Sequence, residues 1–147
     1  MKKVLAVASG GGHWIQLLRL RPSFEHHKVQ FITTNKEFQK DVQNKLTAVT
    51  DANKWEKLKL VKMFAEVLLV VIRFRPDVII TTGAAPGFAA IFWGKFLGCK
   101  TIWIDSIANA GELSESGKRA KKYADVWLTQ WKHLETSNGP KFVGSVI

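Results

Sequence analysis

The feature that most constrains this chain is an alternation of short apolar runs with longer helix-patterned segments, kept up from end to end. Strands are predicted at Lys3–Ala8, Lys28–Thr33, Asp77–Thr81, Lys100–Ile104 and Asp125–Thr129, with a weaker one near Leu46–Thr50. Several are almost continuous in Val, Ile, Leu and Ala, the pattern of strands covered on both faces. Helices are predicted at His13–Leu20, Lys36–Lys45, Trp55–Phe74, Pro86–Leu97 and Ser116–Tyr123. Parallel strands need a crossover about as long as these helices, whereas antiparallel ones can be joined by a tight turn. The expected fold is therefore α/β: a Rossmann-like domain with a mainly parallel, doubly wound sheet. A chain of 147 residues has room for one such core, and no linker or repeat divides it, so residues 1–147 are read as one domain.

In sheets of this kind ligands collect beyond the carboxyl ends of the strands, near the point where strand order reverses. Three loops fall there. Ser9-Gly10-Gly11-Gly12-His13 joins the first strand to a helix. Its glycines suit close approach of a ligand to the backbone, and the helix N-terminus favours an anion such as phosphate; a turn that merely needs glycine is the plainer reading. The glycine spacing is wrong for a dinucleotide fingerprint, and the second strand ends Thr33-Thr34-Asn35 without an acidic residue for a ribose. His13 is placed either to take a proton from a sugar hydroxyl or to pack against its helix. Thr82-Gly83-Ala84-Ala85-Pro86 is a second small-residue loop, with proline suited to a helix start. Asp105-Ser106 closes the Lys100 strand, where a carboxylate suits either sugar hydroxyls or the capping of the next loop.

Composition narrows the setting. Cys99 is the one cysteine, which excludes a disulfide framework and a cysteine-based metal site and fits a reducing, cytoplasmic environment. His26, His27 and His133 lack metal-ligand spacing, and neither metal nor cofactor is expected. Lys3–Ala8 reads as a first buried strand rather than a signal peptide. The net charge is +10, with the excess in the first two thirds of the chain. Without a helix-turn-helix, zinc or RNP-type signature, nucleic acid is the weakest explanation for it.

The segment Lys57–Phe74 is apolar on two helical faces. Leu58, Val61, Phe64, Leu68 and Val71/Ile72 make one, and Leu60, Met63, Val67, Val70 and Phe74 the other. Lys57, Lys59 and Lys62 stand at one end, Arg73 and Arg75 at the other. Its longest unbroken apolar run, Val67–Ile72, is far short of the ~20 residues of a membrane span. Two readings remain: a helix buried in the fold, or a peripheral patch whose lysines meet anionic headgroups. Phe88, Phe92, Trp93, Lys95 and Phe96 form a second aromatic-basic cluster.

Arg75-Pro76-Asp77-Val78-Ile79-Ile80, Thr82-Gly83, Leu97-Gly98 and the strand to Asp105 resemble the N-terminal domain of the GT-B peptidoglycan lipid-I GlcNAc transferase. The glycine-histidine loop, Tyr123–Trp127 leading to Gln130-Trp131, and the end Phe142–Ile147 resemble more closely the stand-alone form of that domain. That form is the membrane-side subunit of the eukaryotic dolichol-linked GlcNAc transferase, together with bacterial relatives in capsule and exopolysaccharide synthesis. The resemblance spans essentially the whole chain. It implies half of a two-component inverting glycosyltransferase, inactive until a separate donor-binding chain supplies the UDP-sugar site. This half would bind a polyprenyl-pyrophosphate-linked acceptor at the cytoplasmic face of a membrane, as a peripheral protein. It implies His13 as base, and Ser9, Gly10, Gly11, Gly12, Thr82, Gly83, Ala84, Asp105 and Ser106 around the pyrophosphate and acceptor. Lys57, Leu58, Lys59, Leu60, Val61, Lys62, Phe64, Trp93 and Lys95 are implied for the membrane, and Gln130, Trp131, Gly144 and Ser145 for the partner. Asp105 stands where relatives have glutamate, and Trp14 and the loop Ile107–Gly111 depart from their pattern. A non-catalytic scaffold for a partner transferase and a free-standing nucleotide-binding domain are the alternatives.

Overall fold

The computed structural model describes residues 1–146; Ile147, the last residue of the end segment considered above, lies outside the described residues. The strands are β1 (Lys3–Ala8), β2 (Lys28–Thr33), β3 (Leu46–Ala48), β4 (Val78–Gly83), β5 (Lys100–Ile104), β6 (Val126–Thr129) and β7 (Lys141–Phe142). The helices are α1 (Gly12–Leu20), α2 (Lys57–Phe74), α3 (Ala85–Phe96) and α4 (Glu115–Arg119). All strands pair in parallel in the order β3-β2-β1-β4-β5-β6-β7. The order reverses between β1 and β4, which makes their carboxyl ends the switch point.

Alternation along the strands splits the core into two layers. Val4, Ala6 and Ala8 of β1, with Phe31 and Ile104, pack under Trp14 and Leu17 of α1. Leu5 and Val7, with Ile32, Ile79 and Trp103, pack against Met63, Val67 and Val71 of α2 and Ala89, Ala90 and Ile91 of α3. Helix α3 lies very close to the sheet. A Cβ at Gly87 would overlap the Thr81 hydroxyl, and one at Gly94 would stand 2.6 Å from Ile79 Cδ1. Helix α2 ends on Arg75, whose φ of 52° is left-handed, and Pro76 blocks its continuation.

Three elements differ in kind from the sequence expectation. Lys36–Lys45 is not an α-helix: only a 3₁₀ stretch, Lys36–Asp41, forms. The Gln39 amide explains this, because it donates to the Val42 and Asn44 carbonyls and accepts from Leu46 N–H, satisfying the backbone without helical bonds. The segment expected as the helix Ser116–Tyr123 is α only over Glu115–Arg119 and 3₁₀ over Ala120–Lys122. Strand β7, two residues long, has no counterpart in the sequence reading.

Candidate functional site

The loops after β1 and β4 meet at the switch point. Ser9 N–H donates to the Gly83 carbonyl at 3.1 Å. His13, in the first turn of α1, reaches across: its Nδ1 lies 2.9 Å from the Thr82 carbonyl oxygen, and the Thr82 hydroxyl donates to the His13 carbonyl at 2.6 Å. A carbonyl oxygen only accepts, so Nδ1 carries the proton in this contact, and in the neutral form of the ring the lone pair then lies on Nε2. The ring rests on Gly83, where an added Cβ would come within 3.0 Å of His13 Cε1 and Nδ1. The Gly83–Ala84 peptide bond is cis.

The starts of α1 and α3 carry no side-chain cap and no acidic residue in the first turn. Their N–H groups therefore face the loop region with the positive ends of two helix dipoles. Gly11 takes a φ of 68°, which accounts for a glycine there. Gly12 has no such reason, since a Cβ on it would meet nothing within 4 Å. Gly10 lies against Phe38 and Thr34.

Asp105 and Ser106 belong to the same neighbourhood but are turned inward. Asp105 is 1% exposed. Its carboxylate accepts from Trp103 Nε1 at 3.1 Å, Ser114 Oγ at 2.6 Å and Ser114 N–H at 2.9 Å, and so ties the loop 105–114 together. These contacts are of the loop-organising kind, one of the two roles open from the sequence. Ser106 Oγ accepts from Gln16 Nε2 and from Ala108 N–H.

Gln16 is a residue the sequence reading passed over. It is buried on α1, one turn beyond His13, and its Oε1 accepts from Ile107 N–H at 3.1 Å and Gln130 Nε2 at 2.6 Å. Gln130 also donates to the Asp105 carbonyl, and its own Oε1 accepts from Val146 N–H at 2.7 Å. Gln130, expected at a partner surface, is thus 3% exposed and holds the end segment from within. Trp131 Nε1 donates to the Ile107 carbonyl at 2.7 Å, while Gly144 and Ser145 are exposed. No local pattern signals this network, because its partners lie up to 114 residues apart.

The residues expected at the membrane divide by helix face. Leu58 (88% exposed) and Val61 (68%) project outward, followed along α2 by Leu69 and Ile72. Ile72 shares a surface hollow with Leu97, which continues the apolar strip to the end of α3. Lys57 and Lys62 are exposed, with no carboxylate within 4.0 Å among the described residues. Lys59 pairs with Glu56 at 2.7 Å and Lys95 with Asp125 at 3.8 Å. Leu60, Phe64 and Trp93 instead pack against the core, and Trp93 Nε1 donates to the Phe64 carbonyl at 3.0 Å. No helix among the described residues is long and apolar enough to cross a membrane.

With this geometry in place, the fold has clear relatives. The structure of MurG from Acinetobacter baumannii superposes with a TM-score of 0.82 at 13% identity, over 100% of this chain and 46% of that one. UDP-N-acetylglucosamine 2-epimerase from Rickettsia bellii gives 0.71 at 16% identity, over 90% of this chain and 40% of that one. A glycosyltransferase from Rickettsia africae gives 0.58 at 15% identity, over 83% and 33%. The chain spans less than half the length of each of these structures. A sequence comparison with curated proteins gives no match. The architecture is that of the N-terminal half of a GT-B glycosyltransferase. Residues 48–146 match the family described as "Oligosaccharide biosynthesis protein Alg14 like", and the chain belongs to that family.

Proposed function

We propose that this chain is the acceptor-binding, membrane-recruiting subunit of a two-component inverting glycosyltransferase in polysaccharide biosynthesis. The partner chain supplies the UDP-sugar, and the acceptor is a polyprenyl-pyrophosphate-linked glycan at the cytoplasmic face. The observation that carries the reading is the His13–Thr82 pair: a histidine at the switch point, held through Nδ1, with Nε2 left to accept a proton. The acceptor hydroxyl loses its proton to Nε2 as its oxygen bonds to the anomeric carbon. The bond from that carbon to the UDP oxygen breaks on the opposite face, so the configuration inverts. The uncapped starts of α1 and α3 lie around the acceptor pyrophosphate. Asp105 and Ser106 shape the loop beside it. The outward strip of α2, with Lys57 and Lys62, rests on anionic headgroups. The transferred sugar is a hexosyl or N-acetylhexosaminyl group.

The test pairs two measurements on the isolated chain. Flotation with anionic liposomes and only weak binding of UDP-sugar are expected. Tight UDP-sugar binding, or full transferase activity without a partner, would overturn the division of labour.

A further inference from the structure

Beside the glycine loops lies a cavity of about 530 Å³, within the ~300–1,000 Å³ of small-molecule sites. It is bounded by the loop before α2, the first turns of α2 and α3, and α4. Leu60, Phe64 and Phe88 form an apolar wall. Lys54 and Arg119 also line it, and among the described residues neither has a carboxylate within 4.0 Å. The single acidic residue of the lining, Glu115, is 3.9 Å from Lys118. The groove therefore combines a hydrocarbon-lined wall with a net positive lining, Lys54 and Arg119 against Glu115.

Its position is as informative as its lining. Ala84 belongs to the groove and follows Gly83, on which the His13 ring rests. Lys54 and Leu60 belong to it as well; their chain neighbours Trp55 and Val61 are 80% and 68% exposed, and Leu58, two residues before Leu60, is 88% exposed. The groove thus links the histidine to the apolar strip of α2.

We infer that this groove holds the first apolar units of a lipid phosphate, with its anionic head toward Lys54, Arg119 and the start of α3. The inference rests on the proposed reading of the acceptor as lipid-linked and says where the lipid lies. A bare sugar phosphate would leave Leu60, Phe64 and Phe88 facing water, whereas a hydrocarbon chain covers them. An extended peptide would want backbone partners of the kind a strand edge offers, and helices and a loop form this groove. A chain of methylene and methyl groups asks for none.

The experiment is calorimetric binding of farnesyl phosphate to the full chain, with farnesol and inorganic pyrophosphate as controls. Two variants fill the groove from opposite walls, Ala52→Trp in the loop and Ser116→Trp on α4, so that misfolding of one leaves the other. Each is expected to weaken farnesyl phosphate by at least about tenfold, equivalent to ~1.4 kcal/mol, and to leave pyrophosphate binding unchanged. The double variant Lys54→Ala/Arg119→Ala is expected to weaken farnesyl phosphate and spare farnesol. Wild-type affinity in a folded groove-filling variant would overturn the inference while leaving a lipid-linked acceptor standing. Absence of farnesyl phosphate binding by the wild type would also overturn it. If flotation on anionic vesicles failed too, the lipid-linked reading would fall with it.

Discussion

The Nδ1 of His13 and the carbonyl oxygen of Thr82 are 2.9 Å apart, and the Thr82 hydroxyl returns a hydrogen bond to the His13 backbone. A residue in the first turn of α1 and one near the end of β4 thus fix each other, and the imidazole is held in one orientation. General-base catalysis by a positioned side chain is worth ~10²–10⁴-fold. If His13 is the base of the proposed two-component transferase, His13→Ala mixed with the proposed donor-binding partner is expected to lose transfer activity by a factor in that range. The ring is only half-buried and makes one hydrogen bond, so stability should change by no more than ~1.5 kcal/mol. Normal turnover by the variant in a steady-state assay would remove the base and favour a scaffold.

Gly83 and Gly12 should respond in opposite ways to alanine. Gly83 has a φ of 109°, and its added Cβ would press on the His13 ring at 3.0 Å. Gly83→Ala is therefore expected to lose ~1–3 kcal/mol of stability and to displace the imidazole. Gly12→Ala meets nothing within 4 Å and removes a helix-disfavouring residue, so its stability should hold or rise. If an acceptor phosphate approaches the start of α1, Gly12→Ala will nonetheless weaken acceptor binding. Denaturant titration beside an acceptor-binding assay separates the two effects.

Much of the fold was legible because buried parallel strands write themselves as apolar runs. Strands β1, β2 and β5 begin and end where those runs do. What escaped depends on contacts far along the chain. Helix α2 is apolar on two faces, so periodicity could not say that Met63, Val67 and Val71 face inward while Leu58 and Val61 face out. The inward turn of Asp105 is set by Trp103, two residues earlier on the same strand face, and by Ser114 beyond the loop. The loop pair was found from its glycines, but its closure by His13 and Thr82 spans 69 residues.

Asp125 links β6 to β5 and gives a pH-dependent signal. Its carboxylate accepts from Thr101 N–H at 2.9 Å, and this bond, with the Thr101 hydroxyl and the nearby Lys95 and Lys100, holds its pKa below the ordinary value. The folded protein therefore releases this proton more readily than the unfolded chain. The resulting stability is present above the unfolded value of ~3.9 and is lost as pH falls through the lower folded value. Asp125→Asn is expected to cost ~1–2 kcal/mol at neutral pH, and the gap from wild type should close in acid. Urea titrations at several pH values measure this directly.

The exposed strip of α2 can be altered without touching the core. Leu58 and Val61 are 88% and 68% exposed, so Leu58→Ser/Val61→Ser should leave the unfolding midpoint nearly unchanged. If the strip enters the headgroup region, the double variant will lose most of its flotation on anionic liposomes. Lys57→Glu/Lys62→Glu should lose it in a salt-sensitive way, and more strongly than Lys59→Glu, because Lys59 is already paired with Glu56. Full flotation of the Leu58/Val61 variant would assign the strip to a protein contact instead.

Gln130 offers the sharpest test of how the chain's end communicates with the site. Its amide donates to Gln16 and to the Asp105 carbonyl and accepts from Val146 N–H, while Gln16 also holds Ser106 and Ile107. The end segment, the loop after β5 and the helix that carries His13 therefore share one buried amide pair. Truncation leaves buried donors and acceptors unmet, at ~1–3 kcal/mol, so Gln130→Ala should be destabilised by that order. The local consequence is more telling than the global one. Hydrogen exchange should accelerate at Val146 and Ile107 together, although the two lie on different segments. Gln130→Glu keeps the acceptor for Val146 but removes the donor to Gln16 and Asp105. It should therefore free Ile107 while leaving Val146 comparatively protected. Equal protection of both amides in Gln130→Ala would mean that the end segment is held by other contacts and is not coupled to the loop after β5.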